Sequence, residues 1–335
     1  MAGIEKLRFI QLGLESSKGT SVPATAIWYG KGGMSDDRTI VYPDDNVGYL
    51  VDVDRSYVSY LLAGIDFDEN DATFEQIGYP LSASVLDVVS GAANGGTSNA
   101  KKYAYVVPAT SQPTTKAYTI ECGDDYQEYE AEYCFCQSWS LKGAPKEAVK
   151  IASKWLGRQM AKSTKTTLTL QPVETILFQK GKIYADAVGG TIGSTQLTNT
   201  WLGFEMNYDS GIKEVPSGDG NLYFSFTKCT GPKITGSFTF EHDASGVAEY
   251  DDFVAQTAKK IRMEFLGSAT GYTGSGGTFS TRALRIDLCA RIDKVDKLAS
   301  VNGNDILKVS WSARYNATAA LTAEITVCNL LTALV

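Results

Sequence analysis

The main pattern along the chain is a short-range alternation of apolar and polar residues. An alternation with a period of two predicts half-buried strands in antiparallel sheets. The stretch Leu7–Leu12 is mostly apolar and fits a more deeply buried strand. The alternating stretches are Tyr118–Cys122, Glu132–Leu141, Thr167–Leu170, Ser237–Glu241, Leu284–Cys289 and Ile306–Ala313. The sequence therefore predicts a mainly β protein, either a sandwich or barrel-like, with about one flanking helix in each half.

Helical spacing of apolar residues is confined to a few places. Glu249–Phe265 has apolar residues three or four apart and predicts a helix. Thr73–Val89 shows the same spacing, although Gly78 and Pro80 interrupt its first turn. Pro145–Trp155 fits either a helical turn or a strand. The predicted helices are thus few and surround a β core.

Two long polar loops separate these elements. Ser90–Lys116 is rich in Gly, Ser, Thr, Asn and Pro, and Gly267–Thr281 is rich in Gly, Ser and Thr. Loops of this length in a compact domain are usually functional or flexible. We expect such loops to become ordered against neighbouring copies.

The order of elements repeats in the two halves of the chain. Ala63–Glu69 precedes the first predicted helix and Thr235–Glu241 precedes the second, about half a chain apart. On this order, Tyr118–Cys122 would correspond to Leu284–Cys289, and Glu132–Leu141 to Ile306–Ala313. We predict a duplicated β domain, residues 1–163 and 164–335. The alternative is that any β-rich chain shows a similar repeated order of strands and loops. Each half also has an early polar segment, 30–48 and 181–199, suited to a protruding hairpin.

Charge and composition limit the classes of function. The net charge of −7 argues against ordinary DNA binding, which requires a basic surface. An acidic surface would still let DNA slide past, because it repels phosphate. The 18 Tyr and 13 Phe residues fit strands and surfaces buried against other subunits. The start of the chain lacks a secretory apolar segment, and no apolar run approaches 18 residues, so we expect synthesis and folding in a cytoplasm without a membrane span.

The cysteines and the single histidine do not form a recognisable reactive site. Cys134 and Cys136 are two apart on a predicted strand, which suits neither a local disulfide nor a zinc site, so buried free thiols are expected. His242 precedes Asp243 but has no partner in a nucleophile motif. Asp66–Asp71 is acidic, yet it lacks the central Gly and the final Glu of a calcium loop. We predict no catalytic residue, metal or cofactor, and no enzymatic activity.

Several short segments resemble the tail tube, or major tail, proteins of long-tailed bacteriophages. Gln11–Thr20, followed by Ala24–Ala26, is similar to the family's opening, and Tyr42–Gly48 resembles the acidic Pro-containing segment that follows it. Further landmarks, in chain order, are Phe74–Pro80, Asn302–Val309, Ala313–Tyr315 and Ile325–Asn329. The resemblance covers most of the chain in short motifs.

This resemblance implies a structural protein of the virion tail, assembled in the host cytoplasm. Six domains would form a ring with a continuous inner barrel, and a duplicated chain would need three subunits, which we prefer to six. Rings would stack through an extended loop. The lumen would hold the tape measure protein and then genomic DNA, and the tube ends would meet the tail terminator and tail-tip proteins.

The same picture assigns residues to the lumen, to ring stacking and to apolar contacts. Some acidic residues of the first half should face the lumen; the candidates are Asp36, Asp37, Asp44, Asp52, Asp66, Asp68, Asp124 and Asp125. Candidates for contacts between rings are Gly30, Asp36, Tyr42, Gly48, Gly181, Gly189, Thr195 and Asn199. Candidate apolar anchors are Trp28, Tyr29, Tyr57, Tyr60, Trp201, Tyr223 and Phe224.

Three other functions fit a β-rich chain of this kind. The first is the inner tube of a contractile tail or injection machine, whose subunits are usually about half as long. The second is a tail-tip adhesin, which would form one small oligomer. The third is a glycan-active enzyme, in which paired carboxylates would converge in a cleft.

Overall fold

Antiparallel strands make up most of the computed structural model, which describes residues 3–85, 91–94, 100–271, 279–296, 298–301 and 303–331. In this part of the chain the α-helices are α1 (Gly78–Ser82) and α2 (Ala244–Ala255), and short 3-10 turns cover Glu5–Leu7 and Phe178–Lys180. The strands of the first half are β1 (Phe9–Leu14), β2 (Ala26–Ile27), β3 (Gly32–Asp36), β4 (Thr39–Val41), β5 (Tyr57–Tyr60), β6 (Ala63–Asp71), β7 (Ala92–Ala93), β8 (Lys101–Val106), β9 (Tyr118–Gly123), β10 (Glu128–Gly143), β11 (Lys150–Gly157) and β12 (Met160–Ser163). Those of the second half are β13 (Gly181–Ala187), β14 (Gln196–Leu197), β15 (Trp201–Asp209), β16 (Ile212–Val215), β17 (Phe226–Cys229), β18 (Lys233–Glu241), β19 (Lys259–Ala269), β20 (Thr281–Val295), β21 (Ala299–Val301), β22 (Asn304–Ala313) and β23 (Ala323–Asn329). The prediction of a mainly β fold is confirmed.

The first half is organised around the long strand β10. The first part of β10 pairs with β9 on one edge and with β12 on the other, in the order β2, β1, β9, β10, β12. Its second part pairs with β11, in the order β10, β11, β6, β3. Tyr133, with a φ of 53°, lies where the pairing with β9 shifts, and a bulge separates Cys136 from Ser138. Since β10 belongs to both sheets, it couples them.

The second half repeats this pairing order around β20. The first part of β20 lies in the order β14, β13, β19, β20, β23, and its second part in the order β20, β22, β18, β15. A bulge between Ile292 and Lys294 in β20 matches the bulge of β10. The pairing therefore matches β10 with β20, β11 with β22 and β9 with β19. Both correspondences suggested by chain order are therefore wrong: Tyr118–Cys122 (β9) does not match Leu284–Cys289 (β20), and Glu132–Leu141 (β10) does not match Ile306–Ala313 (β22).

An aromatic pair marks the same place in each half. Phe67 of β6 and Trp155 of β11 have ring centroids 5.3 Å apart, and Phe238 of β18 and Trp311 of β22 have centroids 5.1 Å apart. All four residues are at most 2% exposed. They belong to one apolar core that runs through both halves. Equivalent residues thus fill equivalent parts of the core, so residue numbers can be matched between the halves.

The first half also contributes strands to the second. The hairpin of β7 and β8 pairs with the edge of β23, with Tyr103 opposite Val327. The Tyr103 hydroxyl donates a hydrogen bond of 2.7 Å to the Leu331 carbonyl. β8 lies within the predicted long loop 90–116, which is therefore partly a strand. Residues 86–90 and 95–99, and residues 272–278 of the second predicted loop, lie outside the described residues.

Three local predictions differ from the structure. The predicted helix Glu249–Phe265 ends early: α2 ends at Ala255, and the chain continues as β19, where Ile261, Met263 and Phe265 are buried at a period of two. Short apolar spacing fitted both periods, and pairing with β13 and β20 selected the strand. In the predicted helix Thr73–Val89 only α1 is α-helical, and its last four residues lie outside the described chain.

The predicted strand Thr167–Leu170 is absent, whereas the strand interpretation of Pro145–Trp155 is correct. Residues 164–174 instead form an extended connection between the halves, with Leu170 67% exposed. The Tyr29 hydroxyl donates to the Gln171 carbonyl, at 2.6 Å. An extended chain lying along a surface alternates in the same way as a strand, which explains the error.

Candidate assembly interface

A strand pair joins the two halves into one wide sheet. β10 pairs with β15 from Ser138 opposite Asp209 to Gly143 opposite Phe204. This pairing produces the continuous order β3, β6, β11, β10, β15, β18, β22, β20. Each half supplies four strands to this eight-stranded sheet. The joint is thus an edge-to-edge contact between two similar units.

In the described part of the chain, the eight-stranded sheet has an unpaired edge at each end. Among the residues that the structure describes, β3 hydrogen-bonds as a strand only to β6, with Gly32 opposite Phe67 and Asp36 opposite Ala63. At the other end, Arg291–Val295 of β20 pair with β22 on one side. On the other side the pairing with β19 stops at Ala290, which lies opposite Lys259, the first residue of β19. Unpaired N–H and C=O groups on such edges favour pairing with another chain.

A hairpin of the second half packs across the joint onto the first half. This second arm consists of β16 and β17 with the connection 216–225. The Arg158 guanidinium lies 4.7 Å from the Tyr133 ring centroid and 4.9 Å from that of Tyr223. It also donates hydrogen bonds to the carbonyls of Phe224, at 3.0 Å, and Ser225, at 2.9 Å. Arg158 therefore fixes the second arm by stacking and by charge-assisted hydrogen bonds.

The corresponding hairpin of the first half projects with an apolar tip. This first arm consists of β4 and β5 with the connection 42–56, and Val41 lies opposite Tyr57. Leu50 is fully exposed, and Tyr49 and Val51 are 77% and 76% exposed. The other exposed apolar residues of the arm are Ile40, Tyr42, Val47, Val53 and Tyr57. Such a concentration of exposed apolar side chains is typical of an interaction surface.

One face of the eight-stranded sheet is an open trough of about 660 Å³. Across this face Lys154 lies opposite both Asp66 and Ser138, while Asp209 lies opposite Lys233. At one end, Lys142 forms an ion pair with Glu69. The described strands therefore present alternating charges separated by small polar side chains, and not a uniformly acidic surface.

The acidic residues proposed for the lumen lie in four different places. Asp66 and Asp68 line the trough. Asp36 and Asp37 lie at the open end of β3, where Arg38 hydrogen-bonds to Asp36 and holds the pKa of that carboxyl below its usual value. The rest belong to turns. Asp44 and Asp52 lie on the first arm, Asp124 accepts the backbone N–H groups of Tyr126 and Gln127, and Asp125 accepts that of Ile4.

The residues proposed for ring stacking separate in the same way. Gly30 and Asp36 lead into the first arm, and Tyr42 and Gly48 lie on it. Gly181 begins β13 opposite Phe265, and Asn199 follows β14. Gly189 and Thr195 belong to a tight turn in which the Asp186 carboxylate accepts the N–H groups of Gly193, Ser194 and Thr195. The hairpin of the second half that corresponds to the first arm is instead the second arm, which sequence analysis missed although Pro216–Gly220 is a turn signal.

The proposed apolar anchors divide between core and surface. Trp28 is 4% exposed and Phe224 fully buried, so both are core residues. Tyr57 is 53% exposed on the first arm. Tyr29, Tyr60, Trp201 and Tyr223 are half-buried. Tyr57 is therefore the residue of this set that is best placed to contact another copy.

A buried ionic cluster joins the two halves away from the sheet. Arg282 Nε donates to Glu75 Oε1 at 2.8 Å, and Arg282 Nη1 donates to Glu174 Oε2 at 3.1 Å. Glu75 also accepts the backbone N–H of Glu174, at 2.8 Å. The Glu75 side chain is 5% exposed and that of Arg282 is 17% exposed. One arginine thus neutralises carboxylates from the first half and from the connection.

We expect Arg282→Met to lower the free energy of unfolding by about 3–5 kcal/mol, because it leaves the buried Glu75 carboxylate without its counter-charge. Denaturant unfolding measures this loss. The double variant Glu75→Gln/Arg282→Met should recover a large part of it, and Arg38→Met, which removes an exposed ion pair with Asp36, should change stability little. An equal loss in the single and double variants would contradict the assignment.

A second buried carboxylate, that of Glu15, ties the end of β1 to β10. Glu15 accepts the N–H groups of Tyr133, at 2.7 Å, and Gly19, at 2.7 Å, and the Thr119 hydroxyl, at 3.1 Å. Burial raises the pKa of Glu15, although these three hydrogen bonds oppose the shift. The folded protein therefore binds a proton at this site more readily than the unfolded chain does.

A pKa raised by folding means that the stability contribution of Glu15 is fully present below the unfolded pKa and is lost as the pH rises through the folded pKa. Relative to Glu15→Gln, the wild-type protein should therefore gain stability as the pH falls from 8 towards 5. Thermal unfolding of both proteins across this range measures the difference. A difference that is constant with pH, or that changes in the opposite direction, would contradict the assignment.

The other residues considered for chemistry lie apart from one another. His242 is exposed before α2, and its backbone N–H donates to the Asp305 carbonyl at 3.0 Å. Asp66–Asp71 lies on strand β6 and does not form a loop. All six cysteines are free thiols, five of them buried. Within the described chain, no group of three His, Cys, Asp or Glu residues is placed to hold a metal ion, and no helix is long and apolar enough to cross a membrane.

No family model and no curated protein matches this sequence. Among solved structures, the chain is similar to the tail tube of SPP1 as determined by solid-state NMR and cryo-electron microscopy. The sequences are 15% identical, the TM-score is 0.31, and the match covers 47% of this chain and 81% of that one. A superposition this loose assigns neither fold nor function.

Proposed function

We propose that this chain is a structural subunit that assembles with copies of itself into stacked rings forming the wall of a phage tail tube. The observation that carries this proposal is the eight-stranded sheet with an unpaired edge at each end. Two different edges that fit one another give head-to-tail association, which closes into a ring when the rotation allows it. In the virion the tube would hold the tape measure protein and later conduct genomic DNA.

The internal repeat supports three subunits per ring. Residues 1–163 and 164–335 would be two copies of one domain, each supplying four strands to the sheet. Three chains would then give six similar units and an inner barrel of twenty-four strands. Six chains per ring remains the alternative. The joint between β10 and β15 shows that two such units can pair edge to edge.

The trough of the sheet is the proposed inner wall. Its lysines each lie opposite a carboxylate, as in Lys154 with Asp66 and Lys233 with Asp209. A surface that neutralises its own lysines offers few free cations for phosphate, so passing DNA would not be held. The wall would avoid binding DNA mainly because its lysines are paired with carboxylates, and less because its potential is strongly negative.

The first arm is the proposed contact between stacked rings. Its exposed apolar tip would be buried against the next ring, as large permanent interfaces between subunits require. The tail terminator and tail-tip proteins would cover the arms and surfaces left free at the two ends of the tube. A structural role of this kind needs no catalytic residue, metal or cofactor.

Electron microscopy of the purified protein over time tests the proposal. We expect rings and then hollow tubes of uniform diameter, increasing with protein concentration. Discrete oligomers of fixed size at every concentration would favour a tail-tip adhesin and contradict the proposal. Tubes that require a second, sheath-forming protein would instead indicate the inner tube of a contractile machine.

A further inference from the structure

We infer that the joint inside the molecule is repeated between molecules, so that the open edge of β20 in one copy pairs with the open edge of β3 in the next. This inference rests on the proposed ring and names the strands and the register that close it. In the equivalence between the halves, β20 takes the place of β10 and β3 takes the place of β15. The internal pair of β10 with β15 is therefore the template for the contact between copies.

The matching bulges fix which residues of β20 would be used. In β10 the bulge lies directly before Ser138, and in β20 it lies directly before Lys294. Lys294 therefore occupies the place of Ser138. Up to that point β9 covers the outer edge of β10 and β19 covers that of β20. Beyond it, β15 pairs with β10, whereas no strand of the described chain pairs with the same edge of β20.

The aromatic pairs fix the residues of β3 in the same way. Phe67 matches Phe238, and these residues lie opposite Gly32 and Phe204. Gly32 of β3 therefore matches Phe204 of β15, and counting five residues on along each strand matches Asp37 with Asp209. Since Ser138 lies opposite Asp209, the template places Lys294 of one copy opposite Asp37 of the next.

The charges and exposure of the two edges fit this register. The Lys294 side chain is 69% exposed and forms an ion pair with Asp296. Asp37 follows β3, and one of its carboxylate oxygens accepts the Ser35 hydroxyl at 2.8 Å. Opposite charges directly across a strand pair stabilise it. The neighbouring pair would place Val295 opposite Asp36.

A second, independent feature repeats with the same offset. Arg158 follows β11 and its N–H donates to the Glu132 carbonyl at 3.0 Å; Arg314 follows β22 and its N–H donates to the Cys289 carbonyl at 2.9 Å. Arg158 fixes the second arm, which belongs to the same half of the chain as β15. Arg314 is exposed beside the 54% exposed Tyr315.

The template therefore places the base of the first arm of the next copy against Arg314. The first arm follows β3 along the chain as the second arm follows β15. One joint between copies would then consist of a strand pair and an arginine clamp. A single molecule thus contains one complete joint, between β10 and β15, and the two edges, β20 and β3, that would form a second joint with neighbouring copies.

Disulfide cross-linking in assembled protein tests the register. Residues directly opposite one another in an antiparallel pair have Cα atoms about 4.5–5.5 Å apart, within the range of a disulfide, whereas a shift by two residues gives about 7–8 Å. We expect Asp37→Cys/Lys294→Cys to form roughly five times more cross-linked species than the control Asp37→Cys/Asp296→Cys. With three copies per ring, covalent products should end at the closed trimer. The single variants give the background from the native cysteines.

Amide hydrogen exchange of the wild-type protein provides a second test that needs no substitution. The N–H groups of Asp36 and Val295 should exchange at least tenfold more slowly in the assembled protein than in the monomer, because edge pairing protects them. They alternate with the N–H groups of Asp37 and Asp296, which already donate to the Leu62 and Lys308 carbonyls within one chain. Tubes with equal cross-linking of both pairs, or with unprotected edges, would overturn the inference while leaving the proposed function intact. Wild-type protein that never assembles and keeps both edges unprotected would overturn both.

Discussion

Replacing residues 42–56 of the first arm by Asn-Gly should abolish tube growth while leaving the subunit folded. Val41 lies opposite Tyr57, so a two-residue Asn-Gly turn closes the hairpin in its existing register. The removed residues include the exposed Tyr42, Tyr49, Leu50 and Val51. Fully burying one such side chain contributes about 1.5–3 kcal/mol, so losing two of them should raise the critical concentration for stacking at least ~100-fold.

Sedimentation at increasing protein concentration measures this change, and electron microscopy shows whether single rings persist. The matched control shortens the polar turn at Gly189, which carries no exposed large apolar side chain among the described residues and should leave tube growth unchanged. Thermal unfolding of both variants should resemble that of the wild-type protein. Normal tubes from the arm variant would show that rings stack through another surface.

Trp155→Ala and Trp311→Ala should each lower the free energy of unfolding by about 3–5 kcal/mol, since each leaves a cavity in a packed core. Both residues are 1% exposed and each packs against a phenylalanine of the neighbouring strand. Trp155 Nε1 also donates to the Ser153 hydroxyl at 2.9 Å, a hydrogen bond that the alanine variant loses.

Calorimetry of the two tryptophan variants should show one unfolding transition shifted as a whole, because the core cluster and the joint between β10 and β15 couple the halves. Leu170→Ala is the control: this side chain is 67% exposed on the connection, and its loss should change stability by less than about 0.5 kcal/mol. Two separate transitions, with only one shifted in each variant, would show that the halves unfold independently.

The alternating pattern predicted several of the long strands, because a strand with one buried face alternates apolar and polar residues along the chain. Glu132–Leu141 lies within β10, and Ile306–Ala313 within β22. The pattern failed where two periods coincide. Residues 259–265 fit a helix by their spacing of three and four, and only their pairing with β13 and β20 made them a strand.

The candidate interface was harder to predict, because strand edges depend on pairing between distant segments. The predicted hairpin segment 30–48 contains β3 and only the beginning of the first arm, which spans residues 39–60. Its predicted counterpart 181–199 contains the hairpin of β13 and β14, whereas the second arm lies at 212–229. The acidic pool was assigned by charge alone, and half of its members, Asp44, Asp52, Asp124 and Asp125, cap turns or lie on the first arm. Lys294 carried no sequence signal, and Arg314 was noted only as part of the segment Ala313–Tyr315, since the proposed contacts of both depend on equivalence to Ser138 and Arg158.

The proposed ring depends on two features of one molecule: the joint between β10 and β15, and the edges of β20 and β3 that would pair in the same way between copies. Cryo-electron microscopy of the assembled protein tests this directly. We expect a hollow tube whose rings contain three chains, with β20 and β3 of adjacent chains in one continuous barrel and Lys154 and Lys233 facing the channel. A tube in which this sheet faces outward, or in which β3 and β20 remain unpaired, would contradict it.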